Sequence, residues 1–270
     1  MSRLGPAFDR ARSEARLAIV AYAMAGDPDA SASEALFLAL AAAGADALEI
    51  GLPFSDPIAD GPVIQAAGQR ALRAGMTAAR GVELVARLRA SLEIPIVAMT
   101  YCNVILAFGV ERFAAAAAKA GLDGLIVPDL PMEEAAPFRA PLERQGIDLV
   151  LLAAPTTPPA RVAAIAQASR GFLYYVAVAG ITGGLEASEA ELRARLPAIR
   201  AASPLPVAVG FGIARPQQIE ALRGLADGVV VGSEIIRRAR SDGGGEAGRR
   251  RAAELVAELR AAAQPASAAR

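Results

Sequence analysis

Short apolar runs alternate along the chain with longer stretches in which Ala, Leu and Arg recur at helical spacing. The runs end in Gly, Pro or Asp, the residues that stop strands. The first spans 17–24 and stops at Ala25-Gly26-Asp27-Pro28-Asp29. A helix is expected over 31–43, with Ser31 as its N-cap, Glu34 three residues on and Gly44 closing it. The second run is 47–51, and helices are expected over 62–74 and 77–91. Further strands are expected at 94–100, 124–127, 147–153, 172–178, 206–209 and 228–231. Helices are expected around 110–120, 133–145, 159–168, 188–202 and 215–222, and from 233 onward. Residues 241–245 read as a flexible joint before a last amphipathic helix, and the chain from Gln264 as frayed.

Eight strands, each leading into helix, predict an α/β fold, a (β/α)8 TIM barrel with extra helices. The strand runs are almost continuously apolar, as expected where helices or barrel interior cover both faces. An open doubly wound sheet is the rival architecture. At 270 residues with short connections, the chain 1–270 reads as a single barrel domain.

Charge narrows the partners. Lys and Arg total 28 against 28 Asp and Glu, so no global field favours nucleic acid or an anionic membrane. The N-terminal residues 1–16 are charged throughout, unlike a signal peptide. No apolar run approaches the length of a membrane span, and the single Cys102 has no internal disulfide partner. A cytoplasmic, soluble protein is the expectation.

The missing residue types narrow the chemistry. There is no histidine, and the one lysine, Lys119, lies in an Ala-rich helical run. An imine-forming lysine, imidazole metal ligands and a Cys–His pair are therefore not expected. Acid–base work falls to carboxylates or tyrosines. Glu49 stands in the otherwise apolar run Ala47-Leu48-Glu49-Ile50-Gly51, and Asp60 follows in the next loop. If Leu48 and Ile50 face the helices, Glu49 faces the barrel axis near the end where barrel enzymes place their chemistry. Desolvation there should raise its pKa. The plain alternative is a structural hydrogen bond for Glu49 and a helix-capping role for Asp60 ahead of Pro62.

Glycine turns follow the last three strands, at 180–184, 210–213 and 232–233. Backbone N–H groups in such turns, with a helix N-terminus, hold phosphate without any basic side chain. Tyr22, Tyr101, Tyr174 and Phe211 fall at expected C-terminal strand ends, which suggests a flat apolar ligand.

The run 48–62, Leu-Glu-Ile-Gly-Leu-Pro-Phe-Ser-Asp-Pro-Ile-Ala-Asp-Gly-Pro, resembles the signature of the tryptophan synthase alpha subunit. Ala25-Gly26-Asp27-Pro28, Met99-Thr100-Tyr101, the run 123–131, Ala154-Pro155-Thr156-Thr157-Pro158, Gly210-Phe211-Gly212-Ile213 and Val231-Gly232-Ser233 extend the resemblance over nearly the whole chain. It implies a lyase that splits indole-3-glycerol phosphate into indole and glyceraldehyde 3-phosphate. Glu49 would protonate the indole ring carbon and later accept the glycerol hydroxyl proton, and Asp60 would face the indole N–H. Gly183, Gly212, Gly232 and Ser233 would hold the phosphate. Tyr174 and Thr182 would line the site, Thr182 on a loop that closes over the ligand. The resemblance also implies an α2β2 complex with a beta subunit carrying pyridoxal phosphate, no cofactor in this chain, and Pro53 and Asp56 on the partner-facing loop. Another phosphosugar-handling barrel enzyme, or a non-catalytic barrel partner, are the alternatives. The chain departs from the family pattern at Val104, Ala177, Ala179 and Glu234. Glu234, next to the phosphate turn, is expected to point to solvent.

Overall fold

The computed structural model describes residues 2–177, 189–210 and 212–265, and in it the apolar runs form one parallel sheet of nine strands. The strands are β1 (Ala18–Met24), β2 (Ala47–Gly51), β3 (Ile96–Met99), β4 (Gly124–Ile126), β5 (Asp148–Val150), β6 (Leu152–Ala153), β7 (Leu173–Val176), β8 (Val207–Gly210) and β9 (Gly228–Val231). Their order is β5-β4-β3-β2-β1-β9-β8-β7-β6. The expected strand 147–153 is thus two strands: β5 pairs with β4, while β6 pairs with β7. The sheet returns on itself through this one run, making a TIM barrel. At the seam the Leu151 N–H leaves the ladder and donates to the buried Ser169 hydroxyl at 3.0 Å. A ladder that changes partners at one residue cannot stay continuous there, and the hydroxyl satisfies the freed donor.

The helices are α1 (Leu4–Ser13), α2 (Ala30–Ala42), α3 (Pro62–Arg73), α4 (Ala78–Arg89), α5 (Cys102–Phe108), α6 (Val110–Ala120), α7 (Ala136–Arg144), α8 (Pro159–Ala168), α9 (Glu189–Ala202), α10 (Pro216–Leu222), α11 (Ser233–Arg240) and α12 (Gly245–Ala263). None of the described helices is long and apolar enough to cross a membrane. Three local expectations change. Asp29, not Ser31, caps α2, its carboxylate accepting from Ala32 N–H at 2.8 Å. A 3-10 turn at Met132–Glu134 precedes α7, so the helix starts later than expected. The 241–245 joint is a tight corner, a 3-10 turn followed by glycines with φ of +78° and +63°, values that only glycine adopts readily.

Two helices were not expected. The first is α1, whose Leu4, Ala7, Phe8 and Ala11 form a buried stripe at helical spacing. Leu4 packs over Gly124 and Gly171, and Phe8 over Gly228 and, at 5.3 Å between rings, Phe172. All of these lie at strand beginnings, so α1 plugs the floor of the barrel. The second is α5, separated from α6 by Gly109 at φ +88°.

The floor also carries a repeated polar clamp. Asp46, Asp123 and Asp227 each sit one residue before a strand and donate their backbone N–H to Ile19, Ile96 and Val207 of the neighbouring strand. Each side chain then accepts the N–H of that same neighbour, at 2.9 Å in all three cases. An arginine neutralises each: Arg16 on Asp46 at 2.7 Å, Arg89 on Asp123 at 2.7 Å and Arg200 on Asp227 at 2.8 Å. The clamp fixes the stagger of adjacent strands, and so which side chains share a level inside the barrel.

The Asp46–Arg16 pair is the most enclosed, with side chains 5% and 1% exposed. Asp46→Ala leaves that guanidinium without its main partner and should cost about 3–5 kcal/mol. Urea unfolding at neutral pH checks this, and a loss below about 1 kcal/mol would contradict the clamp.

Candidate active site

Side chains in register on adjacent parallel strands share a face of the sheet. Tyr22 stands opposite Glu49, Leu152 opposite Tyr174, and Gly210 opposite both Val176 and Val230. All seven line one cavity of about 160 Å³ at the C-terminal ends of the strands. Asp60, Pro128, Gly212, Ile213, Gly232, Ser233, Glu234 and Arg237 complete much of its wall. The axis-facing placement expected for Glu49 follows from this register, because its neighbours Leu48 and Ile50 lie fully buried away from the cavity.

Glu49 is 1% exposed. Its Oε2 makes no hydrogen bond among the described residues. Burial raises its pKa to about 8, with the nearby Asp60 charge as the second cause. Asp60 is also buried, and its pKa rises to about 6, again through burial and against the opposing pull of a hydrogen bond from Tyr101. Two carboxyl groups thus share one hollow with their proton affinities set apart. At neutral pH the arrangement favours a protonated Glu49 and an ionised Asp60. Asp60 does not cap α3: Gly61 holds that position without a side-chain bond, and Pro62 at the helix start has no N–H to satisfy.

The four expected rings separate. Tyr22 and Tyr174 line the cavity. Burial, with both carboxylates nearby, pushes their phenols well above the usual range, so they stay protonated. Tyr101 does not line it. It lies in a small adjoining hollow with Asp60, its ring 5.4 Å from Phe54 and its hydroxyl accepting the Ala59 N–H at 3.2 Å. Tyr101 therefore braces the loop that carries Asp60. Phe211, Thr182 and Gly183 lie outside the described residues, as does Ala179.

The glycines act in two ways. A Cβ at Gly210 would lie 2.7 Å from the Tyr174 ring, and one at Gly232 would lie 2.9 Å from the Tyr22 ring. Their lack of a side chain lets both rings lie across the cavity floor. Gly232 is also the N-cap of α11, with no side-chain cap, so first-turn N–H groups are available at the cavity wall. Gly212 turns with φ +42° beside it.

Glu234 is not turned to solvent. Its side chain is 20% exposed, and its oxygens are held by Arg237 and Arg238 at 3.2 Å each. Arginines three and four residues on are in reach of a helical glutamate, which is the physical reason for the difference. Arg237 is a cavity residue that sequence reasoning missed, although its position four residues after Ser233 marks it as sharing that face. Pro53 is buried beside the strand end, while Asp56 and Ile58 of the same loop are exposed, Ile58 at 74%.

Comparison with known proteins places this geometry. Residues 8–264 match the family described as Tryptophan synthase alpha chain. The alpha chain of Synechococcus sp. (strain CC9902) is 50% identical over 232 residues, 86% of each chain. That of Geobacter sulfurreducens is 48% identical over 237 residues, 88% of this chain and 90% of the relative. Among solved structures, tryptophan synthase from M. tuberculosis in its aminoacrylate-bound form superposes with a TM-score of 0.86 at 37% identity, covering 98% of this chain and 100% of that one. The alpha subunit from Legionella pneumophila str. Paris gives 0.88 at 33% identity, covering 97% and 98%. With the carboxyl pair, the glycine-lined wall and this likeness along almost its full length, the chain belongs to the tryptophan synthase alpha chain family.

Proposed function

We propose that this chain cleaves indole-3-glycerol phosphate to indole and glyceraldehyde 3-phosphate, the lyase reaction of its family, with Glu49 and Asp60 as its catalytic residues. The observation that carries the assignment is the buried Glu49 carboxyl, its Oε2 without a partner among the described residues, sharing with Asp60 a cavity that ends at Gly232 and Ser233.

The chemistry needs one proton used twice. Protonated Glu49 gives its proton to the indole ring carbon that bears the glycerol chain. Positive charge then develops on the ring nitrogen, and the ionised Asp60 stabilises it. Glu49, now a carboxylate, takes the proton of the adjacent glycerol hydroxyl. The carbon–carbon bond breaks, its electrons neutralise the ring, and the hydroxyl carbon becomes the aldehyde. Glu49 ends protonated again, so the step needs no external acid or base. The phosphate sits on N–H groups of Gly212, Gly232 and Ser233, with Gly183 completing the set. Tyr22, Tyr174, Thr182 and Phe211 bound the indole and glycerol. Tyr101 acts through Asp60.

The same reading supplies a partner. Indole is apolar and escapes readily, which suits direct transfer to a beta subunit carrying pyridoxal phosphate in an α2β2 assembly. Ile58 and Leu106, 74% and 56% exposed, are apolar side chains on the β2–α3 loop and on α5. They support a protein contact there.

Glu49→Gln should abolish indole release while binding of a non-cleavable phosphorylated analogue survives. Turnover near the wild-type rate would reject the role. For the free enzyme, kcat/KM should trace a bell, falling below about pH 6 as Asp60 gains a proton and above about pH 8 as Glu49 loses one. Stability offers an independent check. The unfolded chain ionises Glu49 near pH 4.5 and the fold does so near 8, so the fold holds the extra proton between those values. The contribution of Glu49 to stability is therefore full below about pH 4.5 and is lost as pH rises toward 8. Glu49→Gln should gain up to roughly 4–5 kcal/mol over wild type above pH 8 and little at pH 4, read from paired denaturation curves.

A further inference from the structure

Among the described residues, the charged groups lining the cavity are Glu49, Asp60, Glu234 and Arg237. The stretch 178–188 contains no arginine or lysine. Among the described residues, a phosphate ester entering this wall meets one cation, Arg237. Arg237 lies four residues after Ser233, on the same face of α11. Helical side chains lean toward the N-terminus, so its guanidinium reaches back over the first turn, where N–H groups are available. Its partner is Glu234, with Nη1 and Oε2 3.2 Å apart. Glu234 does not depend on that bond, because Arg238 Nε holds its other oxygen, also at 3.2 Å. Arg238 is braced in turn by Glu258 at 3.6 Å. The Arg237 side chain is 55% exposed and free to change partners.

We propose that Arg237 is a phosphate-binding residue of this site, held on Glu234 until a phosphorylated substrate displaces the carboxylate. The exchange is close to balanced in charge. Arg237 trades one anion for another, and Glu234 stays neutralised by Arg238. A guanidinium suits this better than an ammonium, because its planar fork accepts a carboxylate or a phosphate in the same geometry. Glu234 thus competes with the phosphate and sets how tightly the site holds it. This inference rests on the lyase reading above.

The test measures KM for indole-3-glycerol phosphate and the inhibition constant of glycerol 3-phosphate in wild type, Arg237→Gln, Glu234→Gln and the double variant. Arg237→Gln should raise both constants roughly five- to tenfold, with kcat at saturation falling much less. Glu234→Gln should lower the inhibition constant at least twofold, and that gain should vanish in the double variant. Arg237→Gln should also flatten the rise of KM with ionic strength. Either constant staying within twofold of wild type in Arg237→Gln overturns the proposal. So does a Glu234→Gln variant that binds glycerol 3-phosphate no better than wild type. A wild-type chain that neither releases indole nor binds glycerol 3-phosphate would instead defeat the lyase reading itself. A thermal melt of each variant separates loss of binding from loss of fold.

Discussion

Everything at the mouth of this barrel depends on keeping one carboxyl group away from water. Glu49 sits buried at the strand end, where one of its oxygens meets no hydrogen-bond donor among the described residues. A carboxylate is poorly solvated there, so the group keeps its proton into the neutral range. Asp60 is less isolated. The Tyr101 hydroxyl donates to it and opposes the effect of burial. The difference between two acids is therefore made by what surrounds them. Tyr101 contributes by its position beside the pair rather than by reaching into the cavity.

The barrel divides its labour along its axis. At the floor, three aspartates grip the first residues of neighbouring strands and are neutralised by arginines. Those polar groups are satisfied and spend their hydrogen bonds on register. At the mouth one oxygen of Glu49 is left without a partner among the described residues, and β2 and β8 end in glycine. The two ends are linked by register alone. The stagger fixed at the floor decides that Tyr22 and Glu49 stand level, and that Gly210 makes room beside Tyr174.

Much of this was legible in the residues. A charged side chain inside an apolar run of five has few explanations, and the period of the runs named the architecture. What stayed hidden has particular causes. The stripe Leu4, Ala7, Phe8, Ala11 is helical, but Gly5 and Pro6, which read as a turn, and the charged Asp9 and Arg10 lie between its members and mask it. The split between β5 and β6 leaves no mark on an apolar run, because it is caused by the distant strands that each half meets. Glu234 was misplaced because its charge was weighed alone, without the arginines one turn on. The glycines of the β8 and β9 turns were read as donors of backbone hydrogen bonds. That reading cannot show that two of them also vacate space for aromatic rings, which depends on the rotamers of Tyr22 and Tyr174.

The helix at the barrel floor bears on how the chain is made. Its Leu4 and Phe8 rest on Gly124, Gly171 and Gly228, and the first strand pairs with the last. A ribosome delivers those partners long after it has delivered the helix. The helix thus emerges with an apolar stripe whose docking surface is completed only when the distant β9 has been made. Its charged Asp9, Arg10 and Arg12, which help to obscure the helix to a reader, suit the nascent chain by keeping that waiting segment dissolved.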